Sequence, residues 1–277
     1  MVTAREVSVN QVKNITRKIE EQNIRGPKGE LIRIEVFCHG ALCMAVSGKC
    51  YLSLDNFNTS ANRGACVQPC RRGYTVQDRD KEITLAIENE YIMSPKDLCT
   101  LPFLDKVLDA GVKILKIEGR GRSPEYTKVT VGVYSEAVKA IQNGEFTEEK
   151  IAQWTERLRS VYNRDFWDGY YLGRKMGEWT QRYGSQATKT KIFVGTVTNF
   201  FAKINVAEIR METQDLKVGD DIMIIGPTTG VYEDKVSEIR VDLKPVESTE
   251  KGELCSIPVK DVIRRGDKVY KVIDAES

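Results

Sequence analysis

The 277-residue chain carries 42 Lys and Arg against 40 Asp and Glu, with 41% hydrophobic and 30% charged residues. This is an ordinary globular composition, which excludes collagen-like, mainly disordered and disulfide mini-protein classes. Two domains are expected at this length, no apolar run approaches the ~18 residues of a membrane span, and the charge balance offers no global pull on nucleic acid.

The start, Met1-Val-Thr-Ala-Arg-Glu, has no apolar signal segment, so the cytoplasm is the expected compartment. Ser8 followed by Gln11 forms a capping box, and Val9, Val12, Ile15 and Ile19 predict a helix through about Glu21. Gly26-Pro27-Lys28-Gly29 is a turn. Alternation from Leu31 to Phe37 predicts a strand that ends at Cys38-His39-Gly40. Residues 38–82 have little periodicity, and a loop of that length is usually functional. Pro95 to Ala110, closed by Gly111, predicts a helix, and Val112 to Ile117 a short strand running into Glu118-Gly-Arg-Gly-Arg. Helices follow over about Pro124 to Gln142 and Thr147 to Tyr162.

Alternating strands and helices predict a parallel α/β domain over 1–188, with chemistry at the C-terminal ends of its strands. Two or three parallel strands are too few for a closed eight-stranded barrel, so the expected form is a partial TIM-like barrel. From Lys189 onward, short alternating segments predict a small all-β barrel over 189–277, through Ile192–Val197, Asp221–Ile225, Lys235–Val241 and Lys268–Ile273. That region has 14 basic and 16 acidic residues, which weakens any grip on nucleic acid through charge alone.

The chain has seven cysteines, an odd number that argues against a disulfide framework. Five fall within 33 residues: Cys38, Cys43, Cys50, Cys66 and Cys70. The spacing Cys43-x6-Cys50-x15-Cys66-x3-Cys70, with Cys99 further on, suits thiolate ligation of an iron–sulfur cluster or zinc. It matches neither a zinc ribbon nor a ferredoxin run. Buried cysteines that act as small apolar side chains are the alternative. Cys38 and Cys255 fit that alternative best.

His39 is the only histidine. A strand end before a glycine suits an acid/base or substrate contact, and a hydrogen-bonded loop histidine fits equally well. Lys116, Glu118, Arg120 and Arg122 form a charged strand end, able to bind a carboxylate or phosphate or to pair internally. Tyr162, Phe166, Trp167, Tyr170, Tyr171, Trp179 and Tyr183 cluster with basic residues. They read better as packing than as a stacking platform for bases.

These residues also carry a resemblance. Glu35-Val-Phe-Cys-His-Gly-Ala-Leu-Cys-Met-Ala-Val-Ser-Gly-Lys-Cys-Tyr-Leu-Ser resembles the signature of the collagenase-like peptidase family of unassigned catalytic type, number thirty-two. Asn62-Arg-Gly-Ala-Cys-Val-Gln-Pro-Cys-Arg, Ser94-Pro-Lys-Asp-Leu-Cys and Lys116-Ile-Glu-Gly-Arg extend it in order. The resemblance implies a C-terminal β domain like the second domain of translation elongation factors. It implies three kinds of activity: a proposed collagenase activity, hydroxylation of tRNA or rRNA pyrimidines using prephenate, and ubiquinone-ring hydroxylation. It further implies a [4Fe–4S] cluster on Cys43, Cys50, Cys66 and Cys99, with Cys70 as the competing fourth ligand. Glu35 and His39 are then the candidate catalytic residues, and Arg63, Lys116, Glu118 and Arg120 the candidate substrate contacts. Family members begin with several βα units ahead of the matching stretch. A half-barrel supplied by a partner chain or a second copy is therefore expected along the 31–38 and 113–117 strands.

Three readings follow. One is an iron–sulfur RNA hydroxylase or its C-terminal part. The second is a collagenase-like peptidase, for which neither H-E-x-x-H nor G-x-S-x-G is present. The third is a zinc-stabilised RNA- or protein-binding module.

Overall fold

The structure is a computed structural model that describes residues 1–60, 63–75, 91–173 and 177–275. The chain is mixed α/β and divides into two compact units. One comprises 1–122 with 129–186, and the other 123–128 with 187–277.

The first unit opens with α1 (Val9–Glu21). Ser8 caps it as the sequence predicts: its hydroxyl accepts from the Gln11 amide, and the Gln11 side chain accepts from the Ser8 amide. A cap of this kind contributes about 1 kcal/mol. Val12 and Ile19 fall on one face at helical spacing and are buried there.

Strand β1 (Glu35–Ala41) begins four residues later than the alternation from Leu31 suggests and runs through His39. It pairs in parallel with β3 (Ile114–Ile117) and antiparallel with β2 (Asp97–Cys99), which pairs in parallel with β4 (Phe166–Trp167). The sheet order is β3-β1-β2-β4. The antiparallel β1–β2 pair departs from the expected all-parallel order, because the excursion after Ala41 returns in the opposite direction. The helix expected over 95–110 is accordingly shorter. Its start is β2, then a 3-10 turn at Leu101–Phe103, and only α3 (Leu104–Asp109) is α-helical. Strand β3 lies at the sheet edge and leaves Ile114 exposed.

The register between β1 and β3 slips between Phe37 and His39. A bulge re-aims side chains. Cys38, His39 and Gly40 are consequently buried in succession, which simple alternation does not allow. Gly40 has φ near +108°, a conformation that suits glycine and turns the chain toward the cysteine-bearing segment. That segment is less irregular than 38–82 suggests. It contains α2 (Tyr51–Phe57) and a 3-10 turn at Pro69–Arg71, while its part beyond residue 75 lies outside the described residues. Helices α4 (Pro124–Gln142) and α5 (Glu148–Arg159) match their predicted positions. Val133, Tyr134, Ala137, Trp154 and Leu158 from these helices join Val36, Cys38 and Leu98 from the sheet in one core.

The second unit is one eight-stranded antiparallel sheet. Its strands are β5 (Lys189–Phe201), β6 (Val206–Met211), β7 (Asp221–Gly226), β8 (Gly230–Lys235), β9 (Ile239–Val241), β10 (Lys244–Val246), β11 (Leu254–Pro258) and β12 (Lys268–Asp274). The order is β10-β9-β11-β6-β5-β12-β7-β8. The expected barrel is not closed by hydrogen bonds among the described residues, since β8 and β10 remain the two ends of the ladder. The strand predicted over 235–241 splits into the end of β8 and all of β9. Val194, Ile209, Ile224, Ile257 and Val269 alternate inward to form a separate core, with Cys255 among them. No helix among the described residues is long and apolar enough to cross a membrane.

Candidate functional site

Four of the cysteines share one neighbourhood at the C-terminal end of β1. Burial pushes the Cys43 thiol up. The amide of Ala45 and the charge of Arg5 oppose that push, while Cys50 and Cys66 lie near enough to add to it. Burial also raises Cys70, eased by Arg71, with Cys43, Cys66 and Cys50 as further repelling neighbours. Cys43 and Cys70 thus lie within electrostatic reach of each other and of Cys50 and Cys66, and thiols are the donor type that soft metals take. Among the described residues no three His, Cys, Asp or Glu side chains converge as a single metal ion requires.

Cys99 lies apart from this group. It is buried in the first core, its thiol is 3.8 Å from the Tyr134 hydroxyl, and burial raises it to about 11. Its other neighbours are Cys38 and Arg159. The reason is the shortness of β2: Cys99 ends that strand opposite His39, with its side chain inside the sheet core. Of the two candidates for fourth ligand, the structure brings Cys70 to Cys43, Cys50 and Cys66.

His39 is not at an open strand end. It is inside β1 and 1% exposed, its ring packed on Tyr134 and Phe166 and its Nδ1 3.4 Å from the Tyr134 hydroxyl. Burial, helped by the charge of Arg122, lowers it to about 3. A side chain with no access to solvent does not present a proton to a substrate. The expected catalytic role therefore has no support in its placement. Instead it shapes acid stability. Below about pH 6.5 the unfolded chain protonates this histidine and the folded chain does not. Stability is complete above that pH and falls as pH drops toward 3, by up to about 1.4 kcal/mol per pH unit from this group. Imidazole resonances should show a neutral ring at pH 5. A ring that titrates near 6.5 would contradict this burial.

Glu35 is at the opposite end of β1 from the thiols, held by Lys116 at 2.9 Å. Lys116 also lies over Phe37, 5.1 Å from the ring centroid. Of the expected pocket of His39, Lys116, Glu118 and Arg120, His39 is enclosed and Lys116 is paired with Glu35. Glu118 and Arg120 do stand at the thiol end. Glu118 takes an ion pair from Arg5 at 3.2 Å and accepts the Arg120 amide at 3.0 Å. Arg120 donates to the carbonyl of Gly64, in the segment between Cys50 and Cys66, at 3.0 Å. Gly64 has φ near +87°, so this approach of arginine to backbone occurs at a glycine-type turn. Arg63, beside it, is exposed.

Two residues that sequence reasoning passed over complete the surroundings. Arg5 lies over the Phe37 ring, its guanidinium carbon 3.8 Å from the centroid, and reaches toward Cys43. Nothing in its sequence position signals this. Arg71 donates to the carbonyl of Leu42 at 2.8 Å, to the Ser94 hydroxyl at 3.0 Å and to the carbonyl of Pro95. It thereby ties the residues beside Cys43 and Cys70 to the approach to β2. Its adjacency to Cys70 was an available signal. The aromatic stretch is mostly packing: Trp167 and Tyr171 are buried, and the Tyr171 hydroxyl donates to the carbonyl of Phe37. Tyr183 alone in that group is strongly exposed.

A family model described as Peptidase family U32 matches residues 1–181. The chain belongs to that family. A U32 relative named collagenase, from Porphyromonas gingivalis, is 56% identical over 271 residues, covering 98% of this chain and 66% of its own. An uncharacterized protease of Methanocaldococcus jannaschii is 36% identical over 275 residues, covering 98% of this chain and 65% of its own. A tRNA hydroxylation protein P1 of Bacillus subtilis is 32% identical over 234 residues, covering 82% of this chain and 52% of its own. The chain thus spans between half and two thirds of the length of these U32 relatives, whose names divide between peptide cleavage and RNA hydroxylation.

Proposed function

We propose that this chain is the cofactor-bearing part of an RNA pyrimidine hydroxylase, with an iron–sulfur cluster held by Cys43, Cys50, Cys66 and Cys70. The observation that carries this reading is the gathering of Cys50 and Cys66 about Cys43 and Cys70 at one end of β1. Four thiolates are a donor set that suits either an iron–sulfur cluster or zinc. A tetrahedral zinc at Zn–S of about 2.3 Å needs its sulfurs about 3.8 Å apart. Cys43, Cys50, Cys66 and Cys70 would hold either group, and iron and sulfide analysis tells them apart. Such a cluster supplies one-electron transfer when bound. The chain's own residues then have simpler tasks: Arg5 and Arg71 offset the charge of the thiolates, and Arg120 fixes the loop between Cys50 and Cys66. Exposed Val46, Tyr51 and Leu54 in the same segment offer an apolar surface against which an unpaired base would pack.

The peptidase reading is supported by the names of two relatives. It gains little from the geometry, because the only histidine is enclosed and neutral. Iron, sulfide and zinc analysis of anaerobically prepared protein separates the readings, together with mass spectrometry of cellular RNA after deletion of the gene. Iron and sulfide with loss of a hydroxylated pyrimidine are expected. Bound zinc with unchanged RNA, or gelatin cleavage by iron-free protein, would overturn the proposal.

A further inference from the structure

Helix α2 is turned inside out relative to an ordinary surface helix. Its one buried residue is Ser53. Tyr51, Leu54 and Phe57 follow at steps of three, which sets them side by side along the helix. They are 72%, 50% and 39% exposed. A surface helix normally buries such side chains, and an apolar patch left in water marks a contact surface.

The patch is paired with positive charge. The guanidinium carbon of Arg72 stands 5.3 Å from the Phe57 ring centroid. Arg72 is itself exposed, as are Lys49 and Arg63. Residues 43–75 hold four basic residues, Lys49, Arg63, Arg71 and Arg72, against one acidic residue, Asp55. The whole chain, by contrast, balances 42 against 40. Among the described residues no carboxylate pairs with Lys49, Arg63 or Arg72.

This combination separates the occupants. A protein face covering Tyr51 and Leu54 would also have to supply counter-charges for the cations around them. A duplex keeps its base faces stacked inside. An unpaired strand meets both needs, with base faces for the rings and the guanidinium and phosphates for the cations. We propose that Tyr51, Phe57 and Arg72 form a stacking platform for an unpaired RNA strand, with Lys49 and Arg63 on its phosphates. Tyr51 follows Cys50 directly and Arg72 lies two residues after Cys70, so a base stacked here stands beside the thiols. The platform deepens the hydroxylase reading, on which the identity of the strand as a substrate rests. Stacking itself needs no metal. A planar guanidinium stacks on a base, whereas an ammonium supplies only charge.

Fluorescence anisotropy of the full chain, prepared anaerobically, tests this with a labelled oligouridine of about twelve nucleotides and with an RNA duplex of the same length. Saturable binding of the single strand below about 100 µM is expected, with the duplex weaker. Tyr51→Ala should weaken the single strand about tenfold at unchanged salt dependence, and Tyr51→Phe should retain the affinity, because the ring carries the stacking. Arg72→Gln should weaken it and make the slope of log affinity against log salt shallower by about 0.7. Arg72→Lys should keep that slope without regaining full affinity. Arg265→Gln, an exposed cation of the second unit, should bind as wild type. No saturable binding, a duplex bound as tightly as the single strand, or wild-type affinity in Tyr51→Ala and Arg72→Gln would overturn the platform. Equal weakening by Arg265→Gln would do the same, since it would show unspecific attraction. A gelatin peptide that binds wild type in place of oligouridine and is lost in Tyr51→Ala would replace RNA by a peptide as the occupant. Melting temperature and iron content should match across the variants, and binding lost only together with iron would overturn the assignment to this surface. If the platform binds RNA while deletion of the gene leaves cellular pyrimidine hydroxylation unchanged, the platform stands and the hydroxylase reading fails. If deletion removes the modification while Tyr51→Ala binds as wild type, the reading stands and the platform fails.

Discussion

Replacing Cys70 with serine is expected to strip most of the iron from anaerobically prepared protein, whereas replacing Cys99 with serine is expected to leave it. The contrast follows from placement. Cys70 shares electrostatic contact with Cys43, Cys50 and Cys66, and Cys99 is enclosed beside Tyr134 and Cys38. A hydroxyl in place of a ligating thiolate removes a soft anionic donor, and a cluster held by three ligands is readily lost. At Cys99 the same change puts a more polar group in the core, at a cost of about 1–3 kcal/mol to stability. The two variants therefore separate by readout: Cys70→Ser by iron and the cluster absorption near ~400 nm, Cys99→Ser by its melting temperature. Iron retained in Cys70→Ser but lost in Cys99→Ser would reverse the assignment and restore Cys99, the fourth ligand that the family resemblance implies.

The same pair of cysteines shows what the sequence could convey. The Cys43-to-Cys70 spacing is a local signal, and the structure keeps it local through α2 and the turn at Pro69–Arg71. Whether Cys99 joins that group depends on a strand pairing, β1 against β2, made across more than fifty residues. Pro95 at one end and Gly111 at the other frame 95–110 as a helix. Residues 97–99 form a strand regardless, since the pairing overrides three residues of local preference. His39 was misplaced for a related reason. The slip in register after Phe37 turns three successive residues inward, and no two-residue alternation encodes such a bulge.

Local signals served well where one residue decides the outcome. The Ser8–Gln11 box fixes the start of α1, and the strand cores of the second unit follow from alternation alone. Side-chain reach was the least legible property. Glu35, Lys116, Glu118 and Arg120 all sit on or after two paired strands, yet the first two bind each other on the strand body and the others face the thiol segment. Arg5 arrives from the N-terminus, and its partner Glu118 lies 113 residues away. Only the fold makes them neighbours.

The buried carboxylate that links these layers carries the second large expected effect. Asp97→Ala should destabilise the first unit by about 3–5 kcal/mol, the range for removing one partner of a buried ion pair. Asp97 is 1% exposed, accepts from Arg122 at 3.0 Å and faces Arg164 at 3.6 Å. Its removal leaves two guanidiniums against Tyr162 with no shared carboxylate, while Arg71 stands nearby with the same sign of charge. Asp97→Asn keeps the shape and an acceptor oxygen but loses the charge, so its cost should be smaller and should grow as ionic strength falls. Denaturant unfolding monitored by tryptophan fluorescence reads both, because Trp167 is buried in the strand paired with β2. An Asp97→Ala protein within about 1 kcal/mol of wild type would show that the arginines are already neutralised by another route.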